Sequence, residues 1–302
     1  MAQQLMRQPS VSRSATTPAS RLSSRALLYL CVLIGAVVSM FPFFWTLVSS
    51  GKSIQEMYYY PPTLWPAAPQ FLANYTEVFN TVPFAQWFVN TVVVTVVSLI
   101  GTVISATLVA YAFSRFRFPG RDIFFFITLA TIMLPVEVTL IPTYLLFKNF
   151  NWIDTYLPLI VPSWFGGGAF NIFLMRQFML TLPLDLDEAA KIDGASSWRI
   201  LWTIIVPLCK PAIATMATLG FIGNWNNFLG ALIFLNTESK YTLAVGMRYF
   251  QSAVAQGSAS ISKPQDHLLM GAAIMFALPC LILFFLAQRY FVQGIATSGI
   301  KG

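Results

Sequence analysis

The chain has 302 residues, of which 57% are hydrophobic and only 10% charged, with a formal net charge of +7. Average soluble domains are about 25% charged, and so few ionic groups could not cover a chain of this length in water, which excludes a water-soluble enzyme. A mean hydropathy of +0.68 makes lipid the main solvent. The pI of 9.4 points to nucleic acid only if a basic face sits on a soluble domain, so membrane topology has to be settled first.

Residues 1–25 are rich in Ser, Thr, Gln and Arg, contain no acid, and read as a disordered basic cytoplasmic tail. The apolar run that follows exceeds the roughly 7–15 residues of a signal-peptide core and lacks a small-residue cleavage site, so it reads as a retained first span. A crossing helix needs about 20 mostly apolar residues. Six stretches qualify: 26–50, 88–113, 123–147, 157–175, 211–235 and 268–287. The reading is an all-α, polytopic membrane protein with a six-span domain over 26–292 and a short tail over 293–302.

Charge sets the orientation. Of the 18 Lys and Arg, only Lys52, Lys148, Lys240, Arg248 and Lys263 fall in the connections 51–87, 148–156 and 236–267, and the other 13 fall in the termini and remaining connections. The side richer in Lys and Arg is cytoplasmic, so both termini are expected there. The first outer connection carries Tyr58, Tyr59, Tyr60 and Trp65 among prolines, which suits anchoring at the lipid–water boundary.

The cytoplasmic connection 176–210 is long and organised. Pro183 stands where a helix can begin, and Asp185, Asp187 and Glu188 follow where acids favour the helix dipole. Gly194 suits a left-handed cap. Ser196 or Ser197 can then cap a second helix with Ile200, Leu201, Ile204 and Ile205 at helical spacing. Pro207 and Pro211 lead into the fifth span. Ala189 and Ala190 offer a flat patch and Glu188 a charge for an arginine on another surface. Packing of the loop on its own spans explains the same pattern.

Several residues suit a translocation path. Glu137, the one ionisable residue within a span, lies between Pro135 and Pro142, and charge inside a membrane marks function or a structural pair. Gly166, Gly167 and Gly168 weaken the fourth span, as a hinge or for close packing. Asn224, Asn226 and Asn227 beside Trp225 suit a sugar ring, and hydrogen bonding between helices accounts for them equally well. Cys31, Cys209 and Cys280 have no metal or disulfide spacing. His267 and Asp266 are sequence neighbours and do not face each other on a helix. Gly51-Lys52-Ser53 ends like a phosphate-binding loop, but Thr46 occupies the place of its first glycine.

Residues 188–207, E-A-A-K-I-D-G-A-S-S-W-R-I-L-W-T-I-I-V-P, resemble the EAA signature of membrane subunits of bacterial ABC importers, with Val206 where the family favours Leu. The stretches F-L-A-N-Y-T-E-V-F (71–79), M-L-P-V-E-V-T-L-I-P (133–142), W-N-N-F-L (225–229) and Q-R-Y-F-V-Q-G-I-A-T-S-G-I-K-G (288–302) are similar to the carbohydrate branch, in particular the maltose-type second membrane subunit. The resemblance implies a type I importer permease in the bacterial inner membrane. It would have no cofactor or catalytic residue of its own. It would pair with a second homologous permease, two cytoplasmic ATPases that hold ATP and Mg, and an extracytoplasmic solute-binding protein. It also implies ATPase coupling by Glu188, Ala189, Ala190, Asp193 and Gly194, with Pro207 setting the exit, and tail contacts to the ATPases by Gly299, Lys301 and Gly302. The substrate expected is a sugar or oligosaccharide. A glycerol-phosphate permease of the same family, or a stand-alone secondary transporter, is the alternative.

Overall fold

A computed structural model describes residues 18–256 and 265–298, and among these the structure is helical with no strand. In chain order the α-helices are α1 (Pro18–Ser50), α2 (Ile54–Met57), α3 (Phe71–Thr81), α4 (Phe84–Arg115), α5 (Arg121–Ala130), α6 (Val136–Asn149), α7 (Leu157–Ile160) and α8 (Ala169–Leu180). They continue as α9 (Asp185–Ile192), α10 (Ser197–Ile200), α11 (Val206–Leu208), α12 (Lys210–Trp225), α13 (Phe228–Phe234), α14 (Leu243–Gln256) and α15 (Asp266–Ser298).

Four segments are long and apolar enough to cross a membrane: Arg25–Ser50, Phe84–Arg115, Leu157–Leu180 and Asp266–Gln288. Two bent pairs bring the number to as many as six, if each pair is one span. The stretch expected as a third straight span is sharply broken, because Arg121–Met133 and Val136–Asn149 meet at 101°. The residue before a proline is driven out of the helical region, and Leu134, before Pro135, is extended at φ −78° and ψ 114°. The fifth expected span is also interrupted, at Asn226 and Asn227 between α12 and α13. Residues 18–25, expected as part of a disordered tail, belong to α1, and residues 293–298 continue α15. A helix already nucleated by a long apolar span propagates into flanking residues at low cost.

The 32 residues of α4 span about 48 Å at 1.5 Å per residue, and this helix organises the bundle. At its start, Trp87 Nε1 donates to the Glu238 carbonyl at 3.2 Å, and Asn90 Nδ2 to the Ser239 and Tyr241 carbonyls, each at 2.9 Å. At its end, Arg115 and Tyr111 reach the connection between α8 and α12. The two ends of α4 thus sort the connections into the same two sets that the Lys and Arg count separates.

The set around the start of α4 is itself folded. Lys52 is buried and donates to the Thr63 carbonyl at 2.6 Å while lying 4.5 Å from the Trp45 ring centre. Buried Glu56 accepts from Thr63 Oγ1 and the Ala67 amide, both at 2.9 Å. Asp154 joins two connections, accepting from the Asn236 and Thr237 amides at 3.0 Å, from Thr237 Oγ1 at 2.7 Å and from Lys240 Nζ at 2.8 Å.

Candidate functional site

The loop between α8 and α12 follows from short-range chemistry. Helix α9 opens when the Asp187 and Glu188 amides donate to the Leu184 carbonyl at 2.9 and 3.1 Å. Asp185, Asp187 and Glu188 occupy its first turn, where carboxylates complement the positive end of the dipole. It closes in a Schellman motif: the Ala195 amide donates to the Ala190 carbonyl at 2.9 Å and the Gly194 amide to the Lys191 carbonyl at 3.0 Å. That motif needs a left-handed residue, and Gly194 has φ +77°. A Cβ on Gly194 would meet nothing within 4 Å, so conformation alone requires glycine. Ser196, rather than Ser197, caps the next helix and accepts from the Arg199 amide at 3.3 Å.

That second helix is α10, a π-helical turn over Leu201–Ile205, and α11. Pro207 has no N–H to donate one turn back, and a widened turn accommodates the loss. Beyond Cys209 the chain bends by 77° into α12. Ile200, Leu201 and Ile205 are buried in one cluster with Tyr111, Met175, Met179 and Met216, so the helical apolar stripe read in the sequence faces the protein's own core.

Helix α9 divides its residues between two faces. Glu188, Ala189, Asp193 and Gly194 are exposed, whereas Ala190 is buried in the core cluster. The two alanines therefore do not form one flat patch, because successive helical residues are turned about 100° from each other. Around the exposed face stand uncovered apolar side chains, with Ile192 87% and Trp198 63% exposed.

One determinant escaped the sequence reading. Arg115, at the end of α4, lies 3.3 Å from Asp187 with both side chains almost wholly buried, and its Nη2 donates to the Leu182 carbonyl at 3.2 Å. The sequence marks Arg115 only as one of many basic residues near a span end. No spacing rule connects it to an acid in a later loop.

The expected path residues fall on separate elements. Glu137 is exposed in the first turn of α6. Gly167 lies in a run of three left-handed glycines, with φ +88°, +61° and +90° at Gly166, Gly167 and Gly168. Asn224 and Asn226 donate to carbonyls four residues back at 2.9 and 2.8 Å, and Asn227 caps α13 by accepting from the Gly230 amide at 3.1 Å. Trp225 is buried, stacked on Phe221 at 5.3 Å, and donates to the Phe276 carbonyl at 3.0 Å. This aromatic belongs to the core, and the asparagines serve their own helix ends. An open cleft of about 670 Å³ lies beside the glycine run, lined by Ser105, Thr128, Thr131, Trp164 and Phe165 among others. Gly299, Lys301 and Gly302 lie outside the described residues.

Four long apolar segments and two sharply bent ones among the described residues, with one capped, exposed helix between the fourth and fifth, define the class as a polytopic helical membrane protein. The family described as binding-protein-dependent transport system inner membrane component matches residues 101–297. The sn-glycerol-3-phosphate transport system permease protein UgpE of Yersinia pestis bv. Antiqua (strain Antiqua) is 33% identical over 276 residues, covering 89% of this chain and 95% of that protein. The galactooligosaccharides transport system permease protein GanQ of Bacillus subtilis (strain 168) is 33% identical over 280 residues, 91% and 94% of the two chains. A chain from the crystal structure of a bacterial ABC transporter involved in the import of the acidic polysaccharide alginate superposes with a TM-score of 0.79 at 26% identity, covering 91% of this chain and 99% of that one. The protein belongs to the binding-protein-dependent transport system inner membrane component family, as an ABC importer permease.

Proposed function

We propose that this chain is one membrane-spanning half of an ATP-driven importer for sugars or oligosaccharides. It works with a second permease, two cytoplasmic ATPases that bind ATP and Mg, and an extracytoplasmic solute-binding protein. Both termini and the α9 loop face the cytoplasm, as the distribution of Lys and Arg supports. The observation that carries the reading is α9 itself: a capped helix between two apolar segments, with Glu188, Ala189 and Asp193 exposed and its other face packed on the bundle. ATP binding closes the ATPase pair, α9 follows, and the spans alternate access.

The cleft beside the glycine run supports an uncharged saccharide. Hydroxyls of Ser105, Thr128 and Thr131 stand beside Trp164 and Phe165, and no Lys or Arg is among its lining residues. The similarity to UgpE supports glycerol phosphate as a second reading. Uptake in proteoliposomes reconstituted with all partners, assayed with labelled oligosaccharides and with glycerol phosphate, separates the two. Accumulation by this chain alone without ATP would instead favour a stand-alone secondary transporter and overturn the proposal.

A further inference from the structure

Three contacts fasten the α9 loop to one helix. Arg115 at the end of α4 reaches the Leu182 carbonyl ahead of α9 at 3.2 Å and lies 3.3 Å from the Asp187 carboxylate within α9. One turn earlier, the Tyr111 hydroxyl donates to the Ser197 carbonyl beyond α9 at 3.3 Å. The closest Arg115–Asp187 atoms, Nε and Oδ2, have no hydrogen-bond partner, so that contact holds by charge. A buried ion pair is weak as a stabilising device, because desolvation offsets the attraction, and its best-attested use is to fix register. Here the register is that of α9 against α4, whose far end is bonded to residues 238–243.

We propose that Arg115 and Asp187 are positioning residues for energy coupling: their charge pair transmits displacement of α9 to α4, and through that helix to the opposite end of the bundle. The proposal rests on the reading of α9 as the contact with the ATPases. It separates the pair from the exposed residues of α9, since Arg115 and Asp187 are buried and would touch no partner.

The test uses the complete reconstituted importer in proteoliposomes, measuring ATP hydrolysis and substrate uptake on the same preparation. Asp187→Asn removes charge with little change of shape and Arg115→Gln removes the charge together with the Leu182 contact, whereas Asp187→Glu and Arg115→Lys keep the charge. The charge-removing variants are expected to hydrolyse ATP but to lower the number of substrates moved per ATP by about fivefold or more, the lower end of typical coupling between sites. The charge-keeping variants are expected to retain a ratio near that of the unaltered protein. A merely structural role would lower assembly and both rates together, leaving the ratio unchanged, and that result overturns the proposal. If the charge-removing variants do not assemble, an uncoupled ratio in Arg115→Lys or Asp187→Glu also overturns it. Failure of the unaltered chain to bind the ATPases or import with ATP is a different result, and it would overturn the underlying function instead.

Discussion

Gly167 lies against Thr102 so closely that a Cβ on the glycine would stand 2.9 Å from the Thr102 Cα and 2.6 Å from its Cγ2. The chain passes α4 at this point in a left-handed conformation, with φ +61° at Gly167. Both space and backbone geometry therefore require glycine, and the run of three glycines serves close packing as well as a break between α7 and α8.

Gly167→Ala is expected to add overpacking of about 1–3 kcal/mol to a left-handed backbone cost of about 1–2 kcal/mol. Gly168→Ala meets nothing within 4 Å and carries only a backbone cost, about 1–3 kcal/mol at φ +90° and ψ 146°. Thermal unfolding of the two purified variants in one detergent measures the difference. Equal midpoints would show that the backbone relaxes around the Thr102 contact.

Gly194→Ala and Glu188→Ala should separate shape from surface in α9. The first forces an L-residue to φ +77° and destabilises the end of α9 by about 1–2 kcal/mol. The second removes an exposed carboxylate, with a stability change within about 0.5 kcal/mol. Both are expected to reduce uptake while the protein still inserts. Normal uptake in the double variant would remove α9 from the coupling pathway.

Asp154 gives a pH dependence outside the membrane. The Lys240 ammonium, followed by the Thr237 hydroxyl and the Thr237 and Asn236 amides, holds its carboxyl well below the usual carboxylate range. Because the folded value lies below the free side chain's value of about 3.9, the stabilisation is complete above that pH. It fades as pH falls toward the folded value. Hydrogen exchange over residues 234–241, corrected for intrinsic rates, should stay protected down to about pH 4 in the unaltered protein. Asp154→Asn should lose part of that protection even at neutral pH. Equal protection in both proteins would show that the carboxylate does not hold the two connections together.

Trp225→Ala and Asn226→Ala test the expected sugar cluster. Trp225 is only 1% exposed, and its truncation should cost about 3–5 kcal/mol, read as a lowered unfolding midpoint. Asn226 is exposed and bonded within its own helix end, so Asn226→Ala should leave uptake unchanged. A selective loss of uptake with normal expression would return Asn226 to the path.

Much of the α9 loop was legible because caps, breaks and helical stripes are decided by neighbours in sequence. Gly194 and the cap at Ser196 follow from interactions within a few residues, whereas the burial of Ile200 and Ile205 depends on distant partners such as Tyr111 and Met175. The packing of the candidate path residues was not legible, since Asn224, Trp225 and Glu137 advertise the same chemistry whether they face a cleft, a helix end or a core. Pro135 signalled a bend, but its near-right angle depends on what the two halves pack against.

By itself the sequence determined that this is a multi-span helical membrane protein and that one charged, capped helix stands between the fourth and fifth apolar stretches. Scarce charge, long apolar runs and terminal caps leave few other solutions for a chain in lipid. Only the tertiary structure decided which acid of α9 turns inward and which base meets it. Arg115 and Leu182, which the fold brings to 3.2 Å, are 67 residues apart in the chain, and Asp187 lies farther along. Composition and periodicity record how each segment meets lipid and water, but the pairing of two buried charges is fixed only when the segments pack.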